Sequence, residues 1–135
     1  MSNNRATIAD NVTIIKERIW RAAEKAGRSS DKIDLMAVTK FQPIDVIRQA
    51  YLAGIRIFGE NRVQEASAKF SSLEPELEGA SLHMIGTVQK NKINKALTIF
   101  DGIQGIDDIE TLEAILIRIK APKRPIKLYL ELHTG

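Results

Sequence analysis

The chain lacks cysteine altogether and has only two histidines, His83 and His133, among its 135 residues. Disulfides and thiolate metal sites are therefore impossible, a structural zinc site has too few soft ligands, and the composition suits a reducing compartment. Aromatic residues are scarce, at 5%. No stretch approaches the roughly 20 apolar residues that cross a bilayer, and the opening MSNNRATIAD has no basic segment followed by an apolar one. The expectation is a cytoplasmic protein with no membrane partner. Several chemistries lose their signatures too: there is no G-x-x-x-x-G-K-[ST] loop, no G-x-G-x-x-G, no H-E-x-x-H and no G-x-S-x-G. Net charge is only +3. Basic residues gather at Lys90, Lys92 and Lys95 and again at Lys120, Lys123, Arg124 and Lys127, while Glu74, Glu76 and Glu78 sit together. Such runs read as solvated helix faces and ends, so no specific nucleic-acid partner is expected.

Apolar residues make up 44% and charged residues 27%, the balance of a globular protein with enough length for one hydrophobic core. Ile8, Val12, Ile15, Ile19, Ala22 and Ala26 recur at helical spacing before Gly27, which predicts an amphipathic helix over 7–26. Beyond it the rhythm changes. Short apolar runs begin near Leu35, Arg56, Leu82, Ile103 and Ile126, and helical periodicity fills the intervals at 43–53, 62–73, 88–97 and 109–119. Strands separated by crossover helices predict an α/β protein with a parallel sheet. Two architectures fit: a flavodoxin-like doubly wound sheet, which five strands would complete, or the start of a (β/α)8 barrel, which needs about 250 residues.

Ligand sites of parallel α/β folds lie at the carboxyl ends of the strands. The first strand, an apolar run that reads as buried on both faces, ends in Thr39 and Lys40. A lysine in a partly dry site loses proton affinity and becomes a nucleophile able to form a Schiff base with an aldehyde. A lysine at a strand end can equally snorkel into water. Alternation puts Lys40 on the same side as Met36 and Val38, half-enclosed if that side is a barrel interior. After the second strand, Asn61 offers a donor and an acceptor, or caps the next helix with Gln64 in a capping box. His83, beside Met84 and Ile85, reads as a hydrogen-bonded core residue, and Asp107 and Asp108 as caps of the last helix. A phosphoacceptor receiver needs acids where Thr39 and Lys40 stand.

Three stretches together, AGRSSDKIDLMAVTKFQP, AGIRIFGENRVQEA and HMIGTVQKNK, resemble the pyridoxal-phosphate homeostasis proteins, whose barrel is related to the N-terminal domain of alanine racemases. The likeness runs from about Ile8 to Leu132, with the motifs in order and at matching spacing. It implies that Lys40 carries pyridoxal 5'-phosphate as a Schiff base, that Asn61 and Ile85 lie near the cofactor ring, and that the protein buffers the free cofactor rather than acting as an enzyme. Departures are Thr39 for a usual serine, Phe41 for a small polar residue and His133 for an asparagine. The resemblance also implies that residues 1–135 are one domain, the N-terminal portion of an alanine-racemase-like (β/α) barrel. Strands six to eight are then missing, with the groups that hold the cofactor phosphate, so the chain reads as a fragment or a truncated product. Its open sheet edges would invite self-association. The alternatives are a racemase-like enzyme using the same cofactor and a cofactor-free basic interaction module.

Overall fold

Thr7 starts the first helix. Its hydroxyl accepts from the Asp10 N–H at 3.1 Å while the Asp10 carboxylate accepts from the Thr7 N–H at 3.0 Å, a reciprocal cap. In the computed structural model, which describes residues 6–119 and 125–135, this helix, α1, runs Ile8–Lys25, and Gly27 ends it in a left-handed conformation (φ 66). Four further helices, α2 (Ile44–Leu52), α3 (Val63–Leu73), α4 (Ile93–Ile99) and α5 (Ile109–Arg118), alternate with five strands. The strands are β1 (Met36–Val38), β2 (Ile57–Glu60), β3 (Ser81–Met84), β4 (Gly102–Ile106) and β5 (Lys127–Leu130). The predicted alternation is therefore observed, with one change. A 3-10 turn at Lys90–Lys92 stands where the fourth helix was expected to begin, so α4 is short.

All four strand pairings are parallel, in the order β1-β2-β3-β4-β5. The doubly wound alternative is thereby corrected, because a flavodoxin-like sheet reverses its strand order at a switch point and this one never does. β1 and β5 are the two edges of the sheet among the described residues.

One face of the sheet carries the core. Ala37, Phe58, Leu82, Met84, Ile103, Ile106 and Leu128 pack with Ile47, Ala66, Leu73, Ile93, Ala96 and Ile115 of α2 to α5. Phe58 is fully buried, its ring 5.9 Å from that of Phe70 on α3. The opposite face is uncovered, so the expectation that β1 is buried on both faces fails: Val38 is 49% exposed and Tyr129 42%. α1 settles on α2 through Val12, while Ile15, expected on its buried stripe, is 42% exposed, and Ala23 is buried instead. The basic residues Lys120, Lys123 and Arg124 lie outside the described residues.

Truncation of Phe58 tests this layer. Phe58→Ala is expected to cost about 3–5 kcal/mol, read as a lowered urea midpoint with an unchanged slope.

Candidate functional site

The turn after β1 is closed by one internal hydrogen bond and held by several from outside it. The Thr39 N–H still donates to the Gly59 carbonyl at 3.0 Å, extending the ladder one residue past the strand. Thr39 is buried at 3% exposure and its hydroxyl donates to Glu60 Oε1 at 2.8 Å. Lys40 follows and is exposed. Phe41 then adopts φ 61, the left-handed region that bulky residues avoid. Its N–H donates to Glu65 Oε1 at 2.7 Å, and the Gln42 N–H donates to the Thr39 carbonyl at 3.0 Å. The Phe41 bond, then Lys69, holds the Glu65 carboxyl below the usual carboxylate range.

Lys69, on α3, closes the arrangement from behind. Its ammonium lies 2.6 Å from Glu60 Oε1 and 3.1 Å from Glu65 Oε1, and donates to the Thr39 carbonyl at 2.8 Å and that of Gln42 at 3.3 Å. Glu60 is fully buried and the Lys69 side chain 12% exposed. Glu60 Oε2 has no hydrogen-bond partner among the described residues.

The three predicted site residues follow three neighbouring strands. Val38 pairs with Gly59 and Gly59 with His83. The Ile85 N–H donates to the Glu60 carbonyl at 2.8 Å, so the second ladder also runs on past its strand. Lys40, Asn61 and Ile85 thus come just after the carboxyl ends of the neighbouring strands β1, β2 and β3. The floor in front of them is close-set. A Cβ on Gly59 would lie 2.7 Å from Met36 Sδ and 3.3 Å from Ile85, and one on Gly86 would lie 2.8 Å from the Asn61 carbonyl oxygen. Asn61 Oδ1 is buried with no partner among the described residues.

Two expectations need correction. Asn61 does not cap α3; Arg62 occupies the N-cap, with no side-chain cap bond, because the ladder still holds the chain extended through Glu60. Nor is Lys40 half-enclosed, since the face it borders is uncovered. Asp108 behaves as expected, capping α5 by accepting from the Thr111 N–H at 2.7 Å and hydroxyl at 2.9 Å, which lowers its pKa. Lys90 pairs with Glu110 at 2.8 Å, so part of the basic run is already engaged. Asp107 meets His133 at 3.3 Å on the surface. No group of three or more possible metal ligands occurs among the described residues, and no helix there is long and apolar enough to cross a membrane.

His83 is the hydrogen-bonded interior histidine that the sequence suggests, 6% exposed on the otherwise open sheet face. Its Nδ1 lies 3.0 Å from Gln104 Nε2, an amide nitrogen that can only donate, so Nδ1 accepts and the proton of the neutral ring sits on Nε2. A Cβ at Gly102 would lie 2.6 Å from Nδ1; glycine is what leaves room for the imidazole. Burial, the largest cause, lowers the His83 pKa, with Lys127 adding to it and Asp101 opposing.

Fold and site together define a parallel βα protein with a lysine-centred candidate site at the carboxyl ends of its first three strands. Among curated proteins, the chain is 33% identical over 132 residues to the pyridoxal phosphate homeostasis protein of Pseudomonas aeruginosa, covering 96% of this chain and 56% of that protein. The proteins of the same name from Vibrio cholerae and Escherichia coli are 35% and 33% identical, covering 90% and 93% of this chain and 50% and 54% of theirs. Among solved structures, a protein of unknown function from Bifidobacterium adolescentis superposes with a TM-score of 0.82 at 35% identity, over 95% of this chain and 56% of that one. PipY from Synechococcus elongatus, solved with PLP bound, superposes at 0.68 with 38% identity, over 82% and 51%. No family model matches. The chain spans about half the length of the curated relatives it matches.

The His83 geometry sets a pH dependence. Its folded pKa lies below the unfolded value of about 6.5, so the unfolded chain binds the proton first and His83 lowers stability as pH falls through and below that value. The C–H resonances of His83 in NMR are expected to titrate with a midpoint below that of an unfolded control.

Proposed function

We propose that this chain is a pyridoxal 5'-phosphate-binding module of cytoplasmic cofactor homeostasis, with the cofactor linked through its aldehyde carbon to Lys40 Nζ. In this reading residues 1–135 form one domain, the first five strands of an alanine-racemase-like barrel, and the role is regulatory rather than catalytic. The observation that carries it is that Lys40, Asn61 and Ile85 all follow the carboxyl ends of the neighbouring strands β1, β2 and β3, together with similarity to pyridoxal phosphate homeostasis proteins over 90–96% of the chain.

The residues present fit such a ligand. Lys40 supplies an exposed amine, Asn61 Oδ1 an unpaired acceptor and Ile85 an apolar surface. Gly59 lets the Met36 and Ile85 side chains close over the strand and Gly86 lets the Asn61 backbone approach, so Met36, Asn61 and Ile85 form the surface a ring would meet. Bound there, the cofactor would supply an electrophilic carbon and an electron-withdrawing ring. The chain's own part is position: the β1 turn presents the amine, and the β2 and β3 ends set the distance of the ring from it.

Borohydride reduction of a mixture with pyridoxal phosphate, followed by peptide mapping, tests the assignment. The adduct is expected mainly at Lys40 and is expected to disappear in Lys40→Ala, with the remaining label weak and scattered. Equal labelling of many lysines in the unaltered chain would remove the reading.

A further inference from the structure

We propose that Lys69 is a positioning residue for Lys40: its ammonium fixes the left-handed turn that presents the amine. The proposal rests on the reading of Lys40 as the cofactor-bearing residue.

Four acceptors surround Lys69 Nζ, namely Glu60 Oε1 at 2.6 Å, the Thr39 carbonyl at 2.8 Å, Glu65 Oε1 at 3.1 Å and the Gln42 carbonyl at 3.3 Å. An ammonium has three protons, so its capacity is filled. Two of the acceptors are the carbonyls on either side of Lys40 and Phe41, and the Glu65 oxygen also takes the Phe41 N–H at 2.7 Å. Beside the turn's own Gln42 N–H to Thr39 carbonyl bond, Lys69 thus holds the carbonyls at both ends of the turn and, through Glu65, the Phe41 N–H. The turn needs this, because Phe41 at φ 61 occupies a region that a bulky side chain enters only when its surroundings impose it. The Phe41 ring is poorly placed to impose it: the residue is 68% exposed, and the Arg62 guanidinium lies 5.7 Å from the ring centroid. Lys69 is itself anchored, since α3 is seated by the fully buried Ala66 and Leu73. The same β2 and α3 unit therefore carries Asn61 and also fixes the direction of the neighbouring Lys40.

The experiment reads borohydride trapping of pyridoxal phosphate at Lys40, with the cofactor below saturation and far-UV circular dichroism reporting folding. Lys69→Met is expected to lower trapping at Lys40 about tenfold, the scale of one hydrogen bond to a charged group, while Lys69→Arg retains most of it. Adding Phe41→Gly to Lys69→Met is expected to recover trapping, because glycine adopts the left-handed conformation without steric cost; a merely structural lysine would not be rescued this way. A folded Lys69→Met chain that traps at Lys40 as the unaltered chain does overturns the proposal. If Lys69→Met does not fold, Glu65→Ala decides: it leaves the Lys69 to Glu60 pair in place, and undiminished trapping at Lys40 in that variant is the overturning result. An unaltered chain with no preference for Lys40 fails the cofactor reading before any variant is compared, which separates the two failures.

Discussion

Glu60 is fully buried and carries a carboxylate. A lone charge in that position would be untenable, and removing one partner of a buried ion pair costs on the order of 3–5 kcal/mol. The pair with Lys69 at 2.6 Å and the Thr39 hydroxyl at 2.8 Å is what makes the position tolerable. It has a geometric consequence. Because the partners come from the end of β1, the end of β2 and the second turn of α3, the pair locks three elements to one another at the end of the sheet where the candidate site lies. Buried pairs of this kind are weak devices for stability but effective at selecting one arrangement over others, and here the arrangement selected is the approach of the β1 turn to the β2 end.

A second constraint acts on the open sheet face. Gly59, His83, Gly102 and Lys127 fall in one row across β2 to β5, and the two glycines flank the imidazole. Gly102 gives His83 its room, and Gly59 gives room to Met36 and Ile85. The row alternates large and absent side chains, so the face is filled by few groups and its floor stays low toward the carboxyl ends. His83 gains its burial from this packing rather than from any covering layer, and burial is the main cause of its reluctance to take a proton.

Much of this was legible in the sequence, and the part that was not has a physical reason. The alternation of elements came from periodicity, which survives because each helix buries one stripe and each strand end is marked by a change of residue type. Lys40 and Asn61 stood out because polar residues directly follow apolar runs, and the caps at Thr7 and Asp108 follow local rules. Strand order was not legible, since five βα units can be laid down in sequence or about a switch point with the same pattern. The β1 run Leu35 to Val38 suggested burial on both faces, yet apolar content alone does not say which face a helix covers. Glu60 lay in plain sight within GEN and Lys69 four residues after Glu65, an ordinary surface spacing on a helix; nothing local marks them as a buried pair. Their meeting with Thr39 spans 21 and 30 residues of chain and exists only once β1 and β2 are paired.

The exposure of Lys40 shifts where its distinctiveness must come from. Many surface lysines on this chain carry the same amine, so exposure by itself gives no preference for one of them. What separates Lys40 is its place: the residue after the last β1 ladder bond, beside the β2 end, where Asn61 Oδ1 has no partner among the described residues, and near the Ile85 that packs over Gly59. A flexible tether would average that placement away, since a turn free to sample other backbone conformations spreads the amine over a wide volume. On the proposed reading, selectivity for a planar aldehyde would depend on how firmly the backbone at Phe41 is held, and the groups that hold it, Glu65 and Lys69, come from α3 on the helix-covered face of the sheet.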